Sequence, residues 1–299
     1  MSSSQPVSMP WIRLGEVDPS ASLTPPPAQF PENTSAAERA SMRFAVSGNA
    51  AFTGGAGMLA LASARALLEH GLAGLALLDL PAALEKGESA ITMLRQDFPA
   101  AKIVTFPCDV TDAQGMNTIA QQVRDQLGGV NILCCFAGMV NCVAAEDLAI
   151  EQWRRVIDVN TTGSWIAAQA FGREMISGGR GGKIVLVASI SGHRVNFPQP
   201  QIAYNVSKAA VLHMRRSLAA EWTRYGIRVN SISPGYMDTV LNEGDDLEPW
   251  RQIWSERNPM RRMGSTQELT GPVVFLCSDI GGSYVNGADI VVDGGGLVF

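Results

Sequence analysis

Tyr204 and Lys208, in the stretch "AYNVSKAAV", are four residues apart and so share one face of a helix. A phenol beside an ammonium suits proton transfer at an oxygen. The phenol gives a proton to an alkoxide, and a neighbouring positive charge favours the phenolate that takes one back. A free tyrosine titrates at about pH 10 and is a poor base at neutral pH. The spacing therefore predicts that Lys208 brings the Tyr204 pKa down. Ser189, in "KIVLVAS", supplies a hydroxyl that would hydrogen-bond the reacting oxygen and stabilise the charge developing there. Taken singly, each is an ordinary hydrogen-bonded group at a strand end or helix start. Together with Asn160, in "IDVNTTGSW", they suit the interconversion of a carbonyl and an alcohol.

A second constellation precedes them. The stretch "AAFTGGAGMLALASARALLEHG" runs from a short apolar segment through a glycine-rich turn into a helical pattern. Thr53, Gly54, Gly55, Ala56 and Gly57 form the turn, and Met58 and Leu59 open the helix. Glycines let such a turn tighten, so that the helix amino terminus meets a pyrophosphate with its N–H groups and the positive end of its dipole. Asp79 ends the next apolar run 25 residues after Gly54, close to the spacing at which a carboxylate accepts hydrogen bonds from the adenosine ribose hydroxyls. Asp109, in "CDVTD", is a candidate to face the adenine edge. An unpaired carboxylate at 79 repels the 2′-phosphate of NADP, and no arginine or lysine follows it immediately in "DLPAALEK". NAD is therefore favoured over NADP.

These residues stand at the ends of apolar runs, and the runs define the fold. After residue 42, "NAAFT", "LALLDL", "KIVTFP", "NILCCFAG", "KIVLVAS", "IRVNSISPG" and "ADIVVDGGG" alternate with longer helical patterns. Seven apolar strands without clear alternation, separated by helices, predict an α/β fold of the Rossmann type. Its sheet is doubly wound, seven-stranded and parallel, with helices on both faces. In such sheets ligands bind at the carboxyl ends of the strands, near the point where strand order reverses. Residues 42–299 read as a single domain. Residues 1–41, rich in Ser and Pro, read as an arm, either a disordered tail or a strap over a neighbouring subunit carrying Trp11, Ile12, Leu14 and Phe30.

With 46% hydrophobic and 17% charged residues in 299, the chain can bury one large core. A net charge of −5 without a basic run argues against a nucleic-acid partner, and no apolar stretch reaches the roughly 18 residues of a membrane span. Cys108, Cys134, Cys135, Cys142 and Cys277 form no CxxC pair and read as thiols of a reducing, cytoplasmic compartment. His70, His193 and His213 lack ligand spacing, so no metal is expected.

In this order the motifs resemble the short-chain dehydrogenase/reductase family over about residues 42–299. They are "TGGAG" at 53–57, "CDV" at 108–110, "AG" at 137–138, Asn160, Ser189, Tyr204 with Lys208, and "PGYMDT" at 234–239. The resemblance implies one nicotinamide-binding domain, hydride transfer between carbonyl and alcohol, and a homotetramer or homodimer. It implies that Lys208 also binds the nicotinamide ribose, and that Asn160 kinks its helix and holds a water linking Lys208 to solvent. Thr239 is implied near the nicotinamide amide, and Val110, Ala137, Gly138, Pro234, Gly235 and Met237 are implied cofactor contacts.

Two departures bear on this. Aligned from Thr53, the family pattern would place glycines at 58 and 60, where this chain has Met58 and Ala60. Either Gly55 and Gly57 let the turn shift so that the Met58 side chain points away from the cofactor, or nucleotide binding is weakened or gone. The intact catalytic set favours the first. Phe136 stands where the family has an asparagine, so packing should replace a hydrogen bond bracing the central strands.

Residues 236–264 read as a mobile lid over the substrate. Substrate candidates are Ser189, His193, Asn196, Gln201 and Tyr204, with Met237, Asn242 and Glu243 on the lid, a polar set that suits a hydroxylated substrate. Trp250 and Trp254, one helical turn apart, read as packing the lid on the body. The arm, "FAVSGNA", Asp79 and "RVNFPQPQIAYNVSKAAV" resemble polyol and ketose members of the family, the D-arabinitol dehydrogenases and xylulose or sorbose reductases. The expected activity is NAD(P)-dependent interconversion of a secondary alcohol and a ketone, with a polyol and a ketose as the leading pair. One alternative is reduction of a bulkier ketone or imine, with Met237, Trp250 and Trp254 as pocket walls. Another is a noncatalytic nucleotide-sensing or scaffold protein.

Overall fold

The computed structural model describes residues 10–16, 22–239 and 247–298, so Asn242 and Glu243 lie outside the described residues. The seven apolar runs form β1 (Asn49–Thr53), β2 (Gly74–Asp79), β3 (Lys102–Pro107), β4 (Ile132–Cys135), β5 (Gly182–Val187), β6 (Ile227–Pro234) and β7 (Asp289–Val292). All pair in parallel in the order β3-β2-β1-β4-β5-β6-β7. Strand order reverses between β1 and β4, whose carboxyl-terminal residues Thr53 and Cys135 are register partners. The expected doubly wound sheet is thus the observed one, and this reversal is where such sheets bind ligands.

The absence of alternation along the strands has a structural cause: both faces are covered. On β1, Ala50 and Phe52 enter one core layer and Ala51 the other, as successive side chains of a strand must. The first layer includes residues of α2 (Met58–Glu69), α3 (Pro81–Asp97) and α9 (Thr270–Cys277). The second includes residues of α4 (Ala113–Leu127), α6 (Gly163–Gly178) and α7 (Ile202–Trp222). Helix starts follow local chemistry. Pro81 opens α3, and Asp112 caps α4 by accepting from the N–H groups of Gln114 (3.1 Å) and Gly115 (3.0 Å).

The amino-terminal stretch is not all extended. Ser35 and Glu38 form a capping box that starts α1 (Ala36–Arg43), so the boundary expected at 41 falls inside a helix. Trp11, Ile12 and Leu14 are exposed, whereas Leu23 lies against Gly226. The remaining helices are α5 (Ile150–Ile157) and α8 (Glu248–Glu256). Among the described residues no helix is long and apolar enough to cross a membrane, and no group of three or more His, Cys, Asp or Glu could hold a metal ion.

Candidate active site

The turn after β1 has the shape a dinucleotide needs. Gly54 has φ 63°, and a Cβ on it would lie 2.6 Å from the Ala137 backbone nitrogen, so only glycine lets the turn meet the segment after β4. Gly57 N–H donates to the Gly54 carbonyl at 3.1 Å, and no side chain caps α2, the arrangement that lets a phosphate sit at a helix amino terminus. Met58 is the first residue of α2 and lies at the surface, 43% exposed. The tight turn is kept beneath it. Asp79 Oδ2 accepts from Ala56 N–H (3.1 Å) and Oδ1 from Leu80 N–H (2.8 Å). An ionised carboxylate has about four acceptor positions, which leaves capacity for ribose hydroxyls beside the turn.

Several expected cofactor contacts have other partners as well. Thr53 is buried, and its Oγ1 accepts from Ala137 N–H at 3.4 Å. Asp109 Oδ1 accepts from Thr111 N–H (2.9 Å) and Oγ1–H (2.7 Å), bonds that hold its carboxyl below the usual range. Val110 packs against Gly163, where a Cβ would come within 2.7 Å of its Cγ2. Phe136 stacks on Phe52 with ring centroids 5.7 Å apart, so packing does stand at the asparagine position.

The candidate acid–base set is assembled from three elements. Ser189 follows β5, accepts from Ser191 N–H and donates to Ser191 Oγ, both at 3.1 Å, and starts a short 3-10 turn over Ile190–Gly192. A Cβ on Gly192 would lie 2.8 Å from the Lys208 carbonyl, so this glycine lets the Ser189 turn lie directly on α7. Tyr204 and Ser189 are hydrogen-bonded there. Lys208 Nζ donates to the Val187 carbonyl at 2.8 Å and lies 5.6 Å from the Tyr204 ring centroid. Asn160 sits in a π-helical turn, Asp158–Thr162, between α5 and α6, a widening of the kind found at functional sites. Its Oδ1 accepts from Met139 N–H (2.8 Å), and its Nδ2 donates to Met139 O and Ser207 Oγ (both 2.9 Å). Gly138 brings these groups together: a Cβ on it would lie 3.3 Å from Asn160 Oδ1 and 3.6 Å from Lys208 Nζ.

Residues 55–296 match a family model described as enoyl-(acyl carrier protein) reductase. A D-arabinitol 2-dehydrogenase (ribulose-forming) of Candida tropicalis is 36% identical over 204 residues, covering 67% of this chain and 72% of that one. A galactitol 2-dehydrogenase of Rhizobium johnstonii is 39% identical over 248 residues, covering 82% and 93%. The crystal structure of a short-chain type dehydrogenase/reductase from Mycobacterium marinum superposes with a TM-score of 0.77 at 35% identity, covering 86% of this chain and 98% of that one. This chain is a short-chain dehydrogenase/reductase. Further relatives of this dehydrogenase are named as NADH-dependent and as NADP-dependent enzymes, so it is an NAD(P)-dependent oxidoreductase.

The electrostatics of the dehydrogenase bear on the expected shift at Tyr204. Burial pushes the Tyr204 hydroxyl above its ordinary value, opposed by the Ser189 hydrogen bond, and burial pulls Lys208 down to about 8. In the protein alone, burial outweighs the Ser189 hydrogen bond and sets the direction at Tyr204.

The substrate candidates divide. Asn196 donates to the hydroxyl of Tyr236 at 2.8 Å. Gln201 Nε2 donates to Ser191 Oγ (3.2 Å) and Asn205 Oδ1 (3.1 Å), behind Ser189. His193 Nε2 is 3.1 Å from Ser233 Oγ and 3.0 Å from Asp289 Oδ2, which places its ring against β6 and β7. Met237 is 4% exposed and packs in the core, with its sulfur 2.9 Å from where a Gly264 Cβ would stand, so it is not a pocket wall. Gly235 passes close to Asp293, and Thr239 is buried. Trp254 stacks on Tyr236 within the 236–264 segment, and its indole N–H donates to Gln199 Oε1 on the body at 3.1 Å. Tyr236, Gln199 and Ser191 escape sequence reasoning; Tyr236 alone had a signal, its place inside "PGYMDT".

Proposed function

We propose that the enzyme interconverts a polyol and a ketose at a secondary carbon, with NAD as the preferred cofactor and Tyr204 as its acid–base group. The observation that carries the reading is that Ser189 bonds Tyr204 while Lys208 of the same helix meets Asn160 at Gly138, at the carboxyl edge of the sheet. When bound, the nicotinamide supplies the hydride acceptor or donor and, oxidised, a positive ring charge. In alcohol oxidation Tyr204, ionised to phenolate, takes the hydroxyl proton as hydride leaves the carbinol carbon, and Ser189 hydrogen-bonds the oxygen throughout. Reduction runs the same transfers backwards, with Tyr204 giving the proton to the forming alkoxide. Lys208, 5.6 Å from the Tyr204 ring centroid, and Asn160 would hold the nicotinamide ribose and a water leading protons to solvent.

Support for NAD comes from Asp79, whose carboxylate sits on the glycine turn through Ala56. Support for a polyol comes from the buried amides and phenol beside the site and from the sugar-alcohol relatives. Exposed Ile150, Trp165 and Val206 on α5, α6 and α7 support a homodimer or homotetramer. Fluorescence titration with NADH and NADPH, followed by initial rates on pentitols, hexitols and bulky ketones, tests the reading. Saturable NADH binding and polyol turnover are expected. Failure to bind either dinucleotide, or activity confined to bulky apolar ketones, would overturn it.

A further inference from the structure

A second phenol stands beside the catalytic one, and buried amides set its polarity. Ser189 and Tyr236 follow the adjacent parallel strands β5 and β6 at the same carboxyl edge, where Val187 pairs with Ile232. The phenol of Tyr236 also opposes ionisation of Tyr204 electrostatically. Asn196 Nδ2 and Gln199 Nε2 both donate to Tyr236 Oη, at 2.8 and 2.9 Å. The orientation of Gln199 is fixed from behind. An indole N–H only donates, and that of Trp254 donates to Gln199 Oε1 at 3.1 Å, which turns Nε2 toward the phenol. The Tyr236 ring is clamped by its stack on Trp254, with centroids 4.3 Å apart and planes 7° from parallel.

With two hydrogen bonds accepted, the phenol oxygen has its own proton left to give. Asn196 Oδ1 is buried and has no hydrogen-bond partner among the described residues, in a residue only 9% exposed. Buried polar groups in native proteins are nearly always paired, so an exception calls for a cause. Here one unspent donor and one unspent acceptor stand on side chains bonded to each other. That pair complements a hydroxyl, which accepts one hydrogen bond and donates one.

We propose that Tyr236 and Asn196 form a subsite for a second hydroxyl of the substrate, with Tyr236 Oη–H donating to its oxygen and Asn196 Oδ1 accepting its proton. The subsite rests on the polyol reading above and deepens it: the substrate carries a further hydroxyl close to the carbon being oxidised. A site built to hydrogen-bond a hydroxyl rejects the analogue lacking it far more strongly than an apolar pocket can, because its buried groups are then left unpaired.

The test compares kcat/KM for a polyol and for its deoxy analogue lacking one hydroxyl next to the oxidised carbon, in wild type, Tyr236→Phe and Asn196→Ala. Wild type should prefer the polyol by at least about tenfold, and each variant should lower that preference by about tenfold or more, through KM for the polyol. NADH titration and thermal melts establish that each variant is folded. Should Tyr236→Phe fail to fold with two amide donors stripped of their acceptor, Asn196→Ala decides alone, since Gln199 still holds the phenol. A preference retained in the folded variants overturns the subsite and leaves the polyol reading standing. A wild type that oxidises simple secondary alcohols and no polyol overturns both.

Discussion

Replacing Lys208 with methionine should make the protein more stable near neutral pH while it disables the site. The ammonium is buried, and burial pulls its pKa from 10.5 to about 8. That displacement corresponds to on the order of 3 kcal/mol held against the charged form in the folded chain. Below pH 8 the folded and unfolded chains both carry the proton, so the full penalty applies. Between about 8 and 10.5 the folded chain loses its proton first, the unfolded chain binds more protons, and stability rises with pH. Methionine has a similar reach and no charge, but it forfeits the bond to the Val187 carbonyl, about 1 kcal/mol. The variant should therefore gain on the order of 2 kcal/mol at pH 7, and the gain should shrink toward pH 10. Urea denaturation of both proteins without dinucleotide, at pH 7 and pH 10, measures the difference, and groups titrating in both proteins cancel from it. A variant less stable at pH 7, or a difference that ignores pH, would refute the claim that the enzyme carries this ammonium at the expense of stability.

Other perturbations separate the turn from the acid–base set. Gly54→Ala puts a Cβ 2.6 Å from Ala137 N at φ 63° and should abolish saturable NADH binding; unchanged affinity by fluorescence titration would contradict the close approach. Met58→Gly should change NADH affinity by less than about threefold, since the side chain it removes lies at the surface and an exposed position contributes little. Tightening well beyond that would mean the methionine obstructs the site. Tyr204→Phe should lower alcohol oxidation by about a hundredfold to ten-thousandfold with dinucleotide binding kept. In wild type, burial keeps Tyr204 protonated to higher pH, so oxidation rates should climb from pH 7 to 10; a profile flat over that range would count against Tyr204 as the base.

The sheet was legible because its signal is local. Each strand announces itself by a short apolar run, and the lack of alternation follows from core on both faces. Tyr204 and Lys208 were legible for the same reason, since one helix face relates them. What escaped depends on groups far apart in the chain. His193 sits between Ser189 and Tyr204 in sequence, yet Ser233 and Asp289 hold its ring from β6 and β7. Nothing within its own loop carries that information. The effect of Met58 was equally closed to sequence, because it turns on where one side chain lies on α2, not on whether a glycine is present. Tyr204 shows a third limit: the degree of burial, which only packing sets, pushes its hydroxyl up in the protein alone.

Tyr236 joins three parts of the enzyme that sequence keeps apart. Its backbone continues β6, its hydroxyl is held by two amides from the segment before α7, and its ring lies on Trp254 of α8. Gln199 closes the loop, bonded to the phenol through one end of its amide and to the indole through the other. A change at the phenol oxygen is thus felt on α8 by two routes, the ring stack and the glutamine, without any backbone movement between them. Substrate hydroxyl recognition and the seating of α8 over the site then share one set of contacts. Substitutions at Trp254 should accordingly raise KM for a polyol even though that side chain is buried away from the reacting carbon, and an apolar replacement that keeps the stack but not the indole N–H, Trp254→Phe, should recover part of the loss seen with Trp254→Ala.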